Sequence, residues 1–491
     1  MNKYFYVTVI FFVGVSVTLL ELASARLVAP FFGSTIYVWG AAIGTILAAL
    51  AIGYWLGGRW SERFDGRKLL GSMLFISSLT AALVPLIYEP LLHSAISDQL
   101  AGVPFFLIVM GSMLLLFFIP VACLGAMSPV VLRLAVTSLH ETGPVSGLLS
   151  GMNTFGSICG TFLAAFVTVP AIGVRWTILL AAGLLATLGL VVWPKQRLWV
   201  FSTFLIVGLS MAMTSVTPFI TRADLIWNRE SPYQFVQVFL EAGRKYLVID
   251  AAHGAQSVYD PGTAVNGTYV DSYAMLPYLT SQTDRQRRVL LVGLGGGSTF
   301  RLFHEVQGDT FDFAFTAVEL DPAVTAAAKE EFGLNQLPVR VIHDDARHYL
   351  ATTDEQYDII IVDAYINELQ IPPMLATVEF FQEVQSRLRP GGLAAFNMVR
   401  LAGERYGQKL LQTAASVFPH VVSGPVQPGS GNEFILLGDG IDVTRVRPTG
   451  HAELDREVTQ TLGLLHPVAR TADPVFTDDR TDLELRLRPR G

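Results

Sequence analysis

Apolar residues follow two different rhythms along this chain. Up to about residue 217 they run almost without interruption, in stretches near 4–25, 36–58, 69–90, 103–132, 145–170, 176–194 and 198–217. Each approaches the roughly 20 apolar helical residues that a bilayer core of about 30 Å requires, so about seven membrane spans are predicted. Asp98 to Arg133 and Glu141 to Arg175 enclose no acidic or basic residue at all. Pro120 and Pro129 predict a kink or break in the fourth span, which neighbouring helices in a membrane can accommodate. After Pro218 the apolar runs shrink to strand length. Residues 233–261, with Phe235-Val236-Gln237-Val238-Phe239 and Tyr246-Leu247-Val248-Ile249, read as a small antiparallel β region. From Arg288, β-rich runs at 289–293, 313–319, 339–343, 358–363, 393–398 and 433–438 alternate with helical stretches. Such alternation predicts a doubly wound, mostly parallel sheet. The expected organisation is a multi-span α-helical membrane domain over 1–217, a linker and small β region over 218–287, and a Rossmann-like α/β domain over 288–491.

Composition sharpens this division. The chain is 51% hydrophobic and only 15% charged, against about 25% charged in an average soluble domain. Residues 1–217 carry ten Lys/Arg against six Asp/Glu, residues 218–491 carry 24 against 35, and the net charge is −7. Positive charge in short loops sets membrane orientation. Arg59, Arg63, Arg67 and Lys68 crowd the connection between the second and third spans, while Leu91–Gly102 holds no Lys or Arg. The crowded loop is read as cytoplasmic. Arg133 and the Lys195/Arg197 pair then also fall inside, Arg26 and Arg175 outside, and seven spans leave everything after Thr217 outside.

Several chemistries are not expected. Cys123 and Cys159, the two cysteines, lie in apolar runs and build neither a disulfide framework nor a zinc site. His304, His343 and His348 lack metal-ligand spacing with a third ligand, so no metal is expected. A negative chain without a basic, aromatic-interleaved patch is not read as a nucleic-acid binder. Ala23-Ser24-Ala25 has the small residues of a signal-peptidase site, but Glu21 and Arg26 fit that frame badly and six spans follow. Gly147/Gly151 and Gly156/Gly160 have spacings that let helices approach closely, read as packing within the chain, with a homodimer as the other outcome.

In a doubly wound sheet, ligands sit beyond the carboxyl ends of the strands. The first strand runs into Gly293-Leu294-Gly295-Gly296-Gly297-Ser298, where glycines permit a tight turn and bring ligand against backbone N–H groups at a helix start. The second ends Val318-Glu319-Leu320-Asp321-Pro322, placing an acid where ribose hydroxyls are held in such folds. The third ends at Asp344-Asp345-Ala346, where a carboxylate accepts from an adenine amine or caps the next helix. The fourth ends at Asp363-Ala364-Tyr365. Four such endings in register point to nucleoside binding.

These motifs, with Gln256-Ser257-Val258-Tyr259-Asp260, Asp345-Ala346-Arg347 and the late Thr477-Asp478-Asp479, resemble the spermidine synthase family. The helical half adds Pro30-Phe31-Phe32-Gly33, Gly53-Tyr54-Trp55-Leu56-Gly57-Gly58 and Asn153-Thr154-Phe155-Gly156, and the whole resembles that family's membrane-fused branch. The resemblance implies a class I methyltransferase/spermidine synthase type of sheet. It implies transfer of an aminopropyl group from decarboxylated S-adenosylmethionine to an amine, leaving methylthioadenosine. Gln256 and Gly295, Gly296 and Gly297 would line the donor, Glu319 the ribose and Asp345 the adenine. Asp363 would accept the amine's proton, and Tyr273 would stand beside the amine or serve as a core aromatic on a helix over 270–279. The chain departs from the family's pattern at Ser298 and Ile366, where acids are usual, and around Ser272-Tyr273-Ala274.

The leading expectation is a membrane-anchored, spermidine synthase-like transferase acting on a small amine or other small acceptor. The second is an S-adenosylmethionine-dependent methyltransferase on the same fold. The third is a transport or scaffold membrane protein with a non-catalytic synthase-like domain, a reading supported by the likeness of Gly57–Lys68 to a loop of major facilitator transporters. A plasma-membrane location is expected. Sidedness divides the expectations, because the charge count puts residues 218–491 outside while adenosine sulfonium donors are made in the cytoplasm.

Overall fold

The computed structural model describes residues 3–479 except 33–35, 96–104, 137, 195–204, 206, 209–223, 251–253, 283–284, 366–370, 400–404, 428–429, 440, 472 and 474. The chain divides into two compact units, Met1–Thr221 and Arg222–Gly491.

The first unit is helical: α1 (Lys3–Phe32), α2 (Ile36–Arg63), α3 (Gly66–Ala95), α4 (Phe105–Ala135), α5 (Thr142–Leu163) and α6 (Val169–Val192). Among the described residues, five stretches are long and apolar enough to cross a membrane. The fifth, Leu139–Val192, joins α5 to α6 through a π-helical turn at Ala164–Thr168. Gly173, at φ +83° and ψ 170°, breaks that stretch into two arms, between the predicted fifth and sixth spans. The predicted seventh span falls largely outside the described residues. Pro120 and Pro129 do not break the fourth span, since α4 is one helix through both. α1 likewise runs without interruption through Ala23-Ser24-Ala25, all three buried.

Helices in this unit meet backbone to backbone. A Cβ added to Gly156 would strike the Phe11 carbonyl, and one on Gly14 the Asn153 carbonyl, so α1 and α5 touch only because these positions are glycine. Gly53 and Gly57 do the same for α2 against α4. Gly147 and Gly151 meet nothing within 4 Å. Buried hydroxyls tie helix to helix, Ser77 Oγ donating to the Pro120 carbonyl at 2.9 Å and Ser78 Oγ to the Ala182 carbonyl at 2.7 Å.

The second unit opens with an antiparallel sheet of β1 (Leu225–Glu230), β2 (Phe235–Glu241), β3 (Arg244–Ile249) and β4 (Ser257–Tyr259). A 3₁₀ segment, Tyr269–Met275, leads into a single α turn, α7 (Leu276–Leu279), rather than the continuous helix expected over 270–279. The main fold follows: β5 (Gln286–Val292), α8 (Ser298–Gln307), β6 (Asp312–Val318), α9 (Pro322–Glu331), β7 (Val339–Ile342), α10 (Ala346–Thr352), β8 (Tyr357–Val362), α11 (Val378–Arg387), β9 (Leu388–Val399), α12 (Arg405–Val417), β10 (His420–Pro425), β11 (Asn432–Gly438), α13 (Ala452–Leu464) and β12 (His466–Pro467). The sheet order is β12-β10-β11-β9-β8-β5-β6-β7. The run β9-β8-β5-β6-β7 is parallel, and β11, β10 and β12 add an antiparallel edge. Central strands are buried on both faces, as in Tyr357–Val362, where every residue is buried, and therefore read as unbroken apolar runs. One core packs Leu290, Ile360 and Phe396 against Phe380 and Phe381, and the other packs Leu291, Ile359 and Ala395 against Phe300 and Phe303. Val236, Val238 and Leu247 of the small sheet rest on Ala323, Val324 and Ala327 of α9. Strand order reverses between β5 and β8, and that crevice is where such sheets bind ligands.

Candidate active site

The switch point is assembled from the ends of β5, β6, β8 and β9. β5 delivers Gly293 at φ +88°, and a side chain there would collide with the main chain of Asp363. Asp363 N–H in turn donates to the Val292 carbonyl at 2.9 Å, so the glycine turn and the aspartate are fixed against each other. Gly295, Gly296 and Gly297 are required by protein packing: an added Cβ would crowd Ser257 Oγ, the Phe332 ring and Leu334 respectively. Gly296 N–H donates to Ser257 Oγ at 2.8 Å. Ser257 therefore touches the glycine loop, whereas Gln256 turns its side chain to the small sheet and accepts from Ile249 N–H at 3.2 Å.

Glu319 lies against the same loop. Its Oε2 accepts from Leu294 N–H at 2.9 Å and its Oε1 from Asp321 N–H at 2.8 Å. Burial pushes its carboxyl up to about 7, with these N–H groups opposing the shift. Asp345 ends the next strand and is the N-cap of α10, its Oδ1 accepting from Arg347 N–H at 2.9 Å and His348 N–H at 3.1 Å. The capping alternative thus describes its position, with the carboxylate exposed.

Asp363 is the centre of the constellation. Its Oδ2 accepts from Tyr269 Oη at 2.8 Å and from Tyr273 Oη at 3.3 Å, and its Oδ1 from Asn397 Nδ2 at 3.0 Å. Burial raises its carboxyl above the ordinary aspartate range, and the three donors pull it back. Both phenols are pushed well above their usual values by burial first and by the Asp363 charge second, which keeps them as O–H donors. Tyr273 is fully buried and stacks on Phe434 with ring centroids 5.0 Å apart, so it is both a core aromatic and a partner of Asp363. Asn397 is clamped in turn: its Oδ1 accepts from Asn432 Nδ2 at 2.9 Å, and its backbone carbonyl accepts from Tyr365 Oη at 2.6 Å.

The structure therefore gathers the glycine turn, Glu319, Asp363 and Tyr273 at one crevice, places Asp345 one strand further out, and leaves Gln256 turned aside. Tyr269, Asn397 and Asn432 were missed by sequence reasoning, and Tyr365 entered it only as part of the Asp363-Ala364-Tyr365 strand ending. Asn397 lies near the end of the strand predicted over 393–398, so inspecting that strand end as the other four were inspected finds it. Tyr269 precedes the predicted helix by one residue. Ser298, where the family pattern has an acid, donates its hydroxyl to the Val258 carbonyl at 3.2 Å. Ile366 lies outside the described residues. Asp478 of the late Thr-Asp-Asp run binds Arg347 at 2.5 Å and Thr377 Oγ1 at 2.7 Å. Among the described residues no group of three His, Cys, Asp or Glu is arranged to hold a metal ion.

Chemically, a half-buried carboxylate with raised proton affinity, oriented by three neutral donors, can accept a proton from a nucleophile brought to the crevice. The neighbouring loop and Glu319 offer backbone and carboxylate groups to a polyhydroxylated partner.

A family profile described as a methyltransferase domain matches residues 289–392. A probable polyamine aminopropyl transferase of Bifidobacterium longum is 27% identical over 284 residues, covering 53% of this chain and 62% of that protein. Polyamine aminopropyltransferase 2 of Aquifex aeolicus is 22% identical over 408 residues, 78% of this chain and 77% of that protein. Among solved structures, a probable spermidine synthase from Corynebacterium glutamicum aligns with TM-score 0.44 and 20% identity, over 54% of this chain and 99% of that one. The chain is similar to proteins named as polyamine aminopropyltransferases, and the match spans less than two thirds of the Bifidobacterium relative.

Proposed function

We propose that residues 222–491 transfer an aminopropyl group from decarboxylated S-adenosylmethionine to a small amine, and that the helical unit anchors this domain to a bilayer. The observation that carries the reading is the Asp363 carboxylate at the switch point, half-buried, oriented by Tyr269, Tyr273 and Asn397, and fixed against the glycine turn. The relatives named as aminopropyltransferases support the same class of reaction.

In this reading the donor lies along Gly295–Gly297 with its ribose toward Glu319. Backbone N–H groups of Leu294, Asp321 and Leu320 already reach Glu319, and a carboxylate has about four acceptor positions, so one remains for a ribose hydroxyl. Asp345 has an oxygen beyond its capping Oδ1 to offer an adenine amine, while Gln256 must leave Ile249 N–H to reach the donor. The amine nitrogen attacks the propyl carbon on sulfur, a C–N bond forms, and the C–S electron pair returns to sulfur, which departs as neutral methylthioadenosine. The amine's proton passes to Asp363, whose burial strengthens it as a base. The tyrosine hydroxyls hold the carboxylate toward the nucleophile and do not ionise.

The full chain in detergent, incubated with decarboxylated S-adenosylmethionine and a panel of amines, is expected to release methylthioadenosine, and Asp363→Asn is expected to stop it. Failure of the wild type to release product or to bind either nucleoside overturns the reading and leaves a non-catalytic domain. The methyltransferase profile over 289–392 favours a second reading on the same residues; release of S-adenosylhomocysteine from S-adenosylmethionine identifies it. Sidedness turns on the segment after α6: six spans return the α/β domain to the side of Arg59–Lys68, and seven leave it opposite. A side-selective reporter fused after Gly491 decides between them, and signal on the cytoplasmic side is what aminopropyl transfer requires.

A further inference from the structure

One cavity in the α/β unit is built from groups that the proposed reaction does not use. It encloses about 190 Å³ where the end of β4, α8 and the turn after α9 meet, and its lining includes Tyr259, Gly262, Arg301, Glu305, Phe332 and Gln336. Arg301 is the unusual member, because its side chain is only 10% accessible and yet lines the cavity. Its Nε donates to Glu305 Oε1 at 2.7 Å and its Nη1 to the Asp260 carbonyl at 2.7 Å. The face of the guanidinium lies over Tyr259, 4.4 Å from the ring centroid. A guanidinium carries five N–H donors, and these contacts occupy two. The rest of the fork is available, on the cavity side, to an acceptor that enters.

The charges at this cavity define what it accepts. Arg301 and Glu305 present opposite signs side by side, and Glu305 keeps its second oxygen beyond the one that Arg301 holds, on a side chain 43% accessible. A simple anion gains Arg301 but meets Glu305, and a simple cation gains Glu305 but meets Arg301. A molecule carrying both a carboxylate and an ammonium satisfies both. The volume equals about six waters at about 30 Å³ each, room for a small amino acid whose side group lies against Tyr259 and Phe332.

We propose that this cavity binds a free α-amino acid, its carboxylate on Arg301 and its ammonium on Glu305. The site is separate from the crevice at Asp363. It shares one wall with the glycine loop, since a Cβ on Gly296 would lie 2.5 Å from the Phe332 ring. The proposal does not depend on the reaction assigned above, and its test reads binding alone.

Isothermal calorimetry on the full chain in detergent, with the standard α-amino acids as probes and acetate and methylamine as half-ligands, tests it. At least one amino acid is expected to bind, with acetate and methylamine each at least about ten-fold weaker, a loss of about 1.4 kcal/mol. Glu305→Gln is expected to weaken that amino acid about ten-fold, and Arg301→Gln to abolish its binding. Arg301 also braces Asp260 and Tyr259, so if its variant unfolds by circular dichroism the decision rests on the more accessible Glu305. Absence of amino-acid binding, acetate binding as tightly as the amino acid, or Glu305→Gln binding like the wild type each overturns the proposal.

Discussion

The α/β unit shares one way of burying polar side chains with the helical unit, a donor set on a backbone carbonyl as in Thr461 on Val426, and adds a second. In the helical unit, hydroxyls donate to backbone carbonyls of neighbouring helices, as Thr18 does to Ser157 at 3.0 Å and Ser78 to Ala182 at 2.7 Å. In the α/β unit, carboxylates accept from backbone N–H groups, as Asp358 does from Arg288 at 2.8 Å, Glu319 from Leu294, and Asp271 from Gly267 at 2.6 Å. The difference follows from which backbone atoms each architecture leaves available. Inside a helix every N–H is spent on its own ladder, while each carbonyl retains a second lone pair. Strand ends and helix starts instead present N–H groups with no ladder partner. A helix interior therefore retains a donor cheaply, and a strand end retains an acid, as Glu319 and Asp363 show.

The largest test of this contrast is on the helical side. Gly156→Leu drives a side chain into the Phe11 carbonyl, a backbone clash that no rotamer relieves, and its cost should exceed the 1–3 kcal/mol of ordinary overpacking. Thermal unfolding in detergent is expected to show the helical unit lost while nucleoside binding by residues 222–491 persists. Loss of both together would show that the units are not independent.

Next in size is the acid itself. Asp363→Asn keeps the volume and removes the base, and methylthioadenosine release is expected to fall by about 10²–10⁴-fold with little change in unfolding temperature. Tyr269→Phe should cost less. Its 2.8 Å bond to a carboxylate is worth about 1.5–3 kcal/mol, or roughly ten- to hundred-fold in kcat/KM. Tyr273→Phe, whose bond is 3.3 Å and whose ring keeps its stack on Phe434, should cost less again. Reversal of that order would move the centre of the site from Tyr269 to Tyr273.

What was legible in the sequence follows the same physics. Buried strands declare themselves as short apolar runs, and Glu319 and Asp363 stand out because an acid directly after such a run is conspicuous. Asn397 holds Asp363 and Asn432 holds Asn397 in turn, but amides carry no charge and do not stand out. Tyr269 was missed because the segment is a 3₁₀ turn that begins one residue before the helix assumed over 270–279. β12, at the sheet edge, and β10, beside it, are short strands without the alternation that marks a strand. In the helical half, Pro120 and Pro129 were read as breakers, but α4 continues through both. The break falls at Gly173, inside the gap that hydropathy left between the fifth and sixth spans.

The smallest effect separates the two modes of burial by titration. Hydroxyls such as Ser77 do not ionise in the accessible range, but Glu319 does, its carboxyl raised from 4.5 to about 7 by burial. Because the folded state holds that proton more tightly than the unfolded chain, Glu319's contribution to stability is full below pH 4.5 and is lost as pH rises through about 7. A ribose hydroxyl donating to Glu319 favours the ionised form and so reverses the penalty. Methylthioadenosine affinity is therefore expected to rise with pH up to about 7, by no more than ten-fold per unit, and to flatten above it. Calorimetric titration of the full chain from acidic to mildly alkaline buffer measures this, with Glu319→Gln expected to bind weakly and without pH dependence. A flat wild-type profile would mean that Glu319 serves only the loop, as the serines of the first unit serve only their helices, and would move the nucleoside's hydroxyls elsewhere in the crevice.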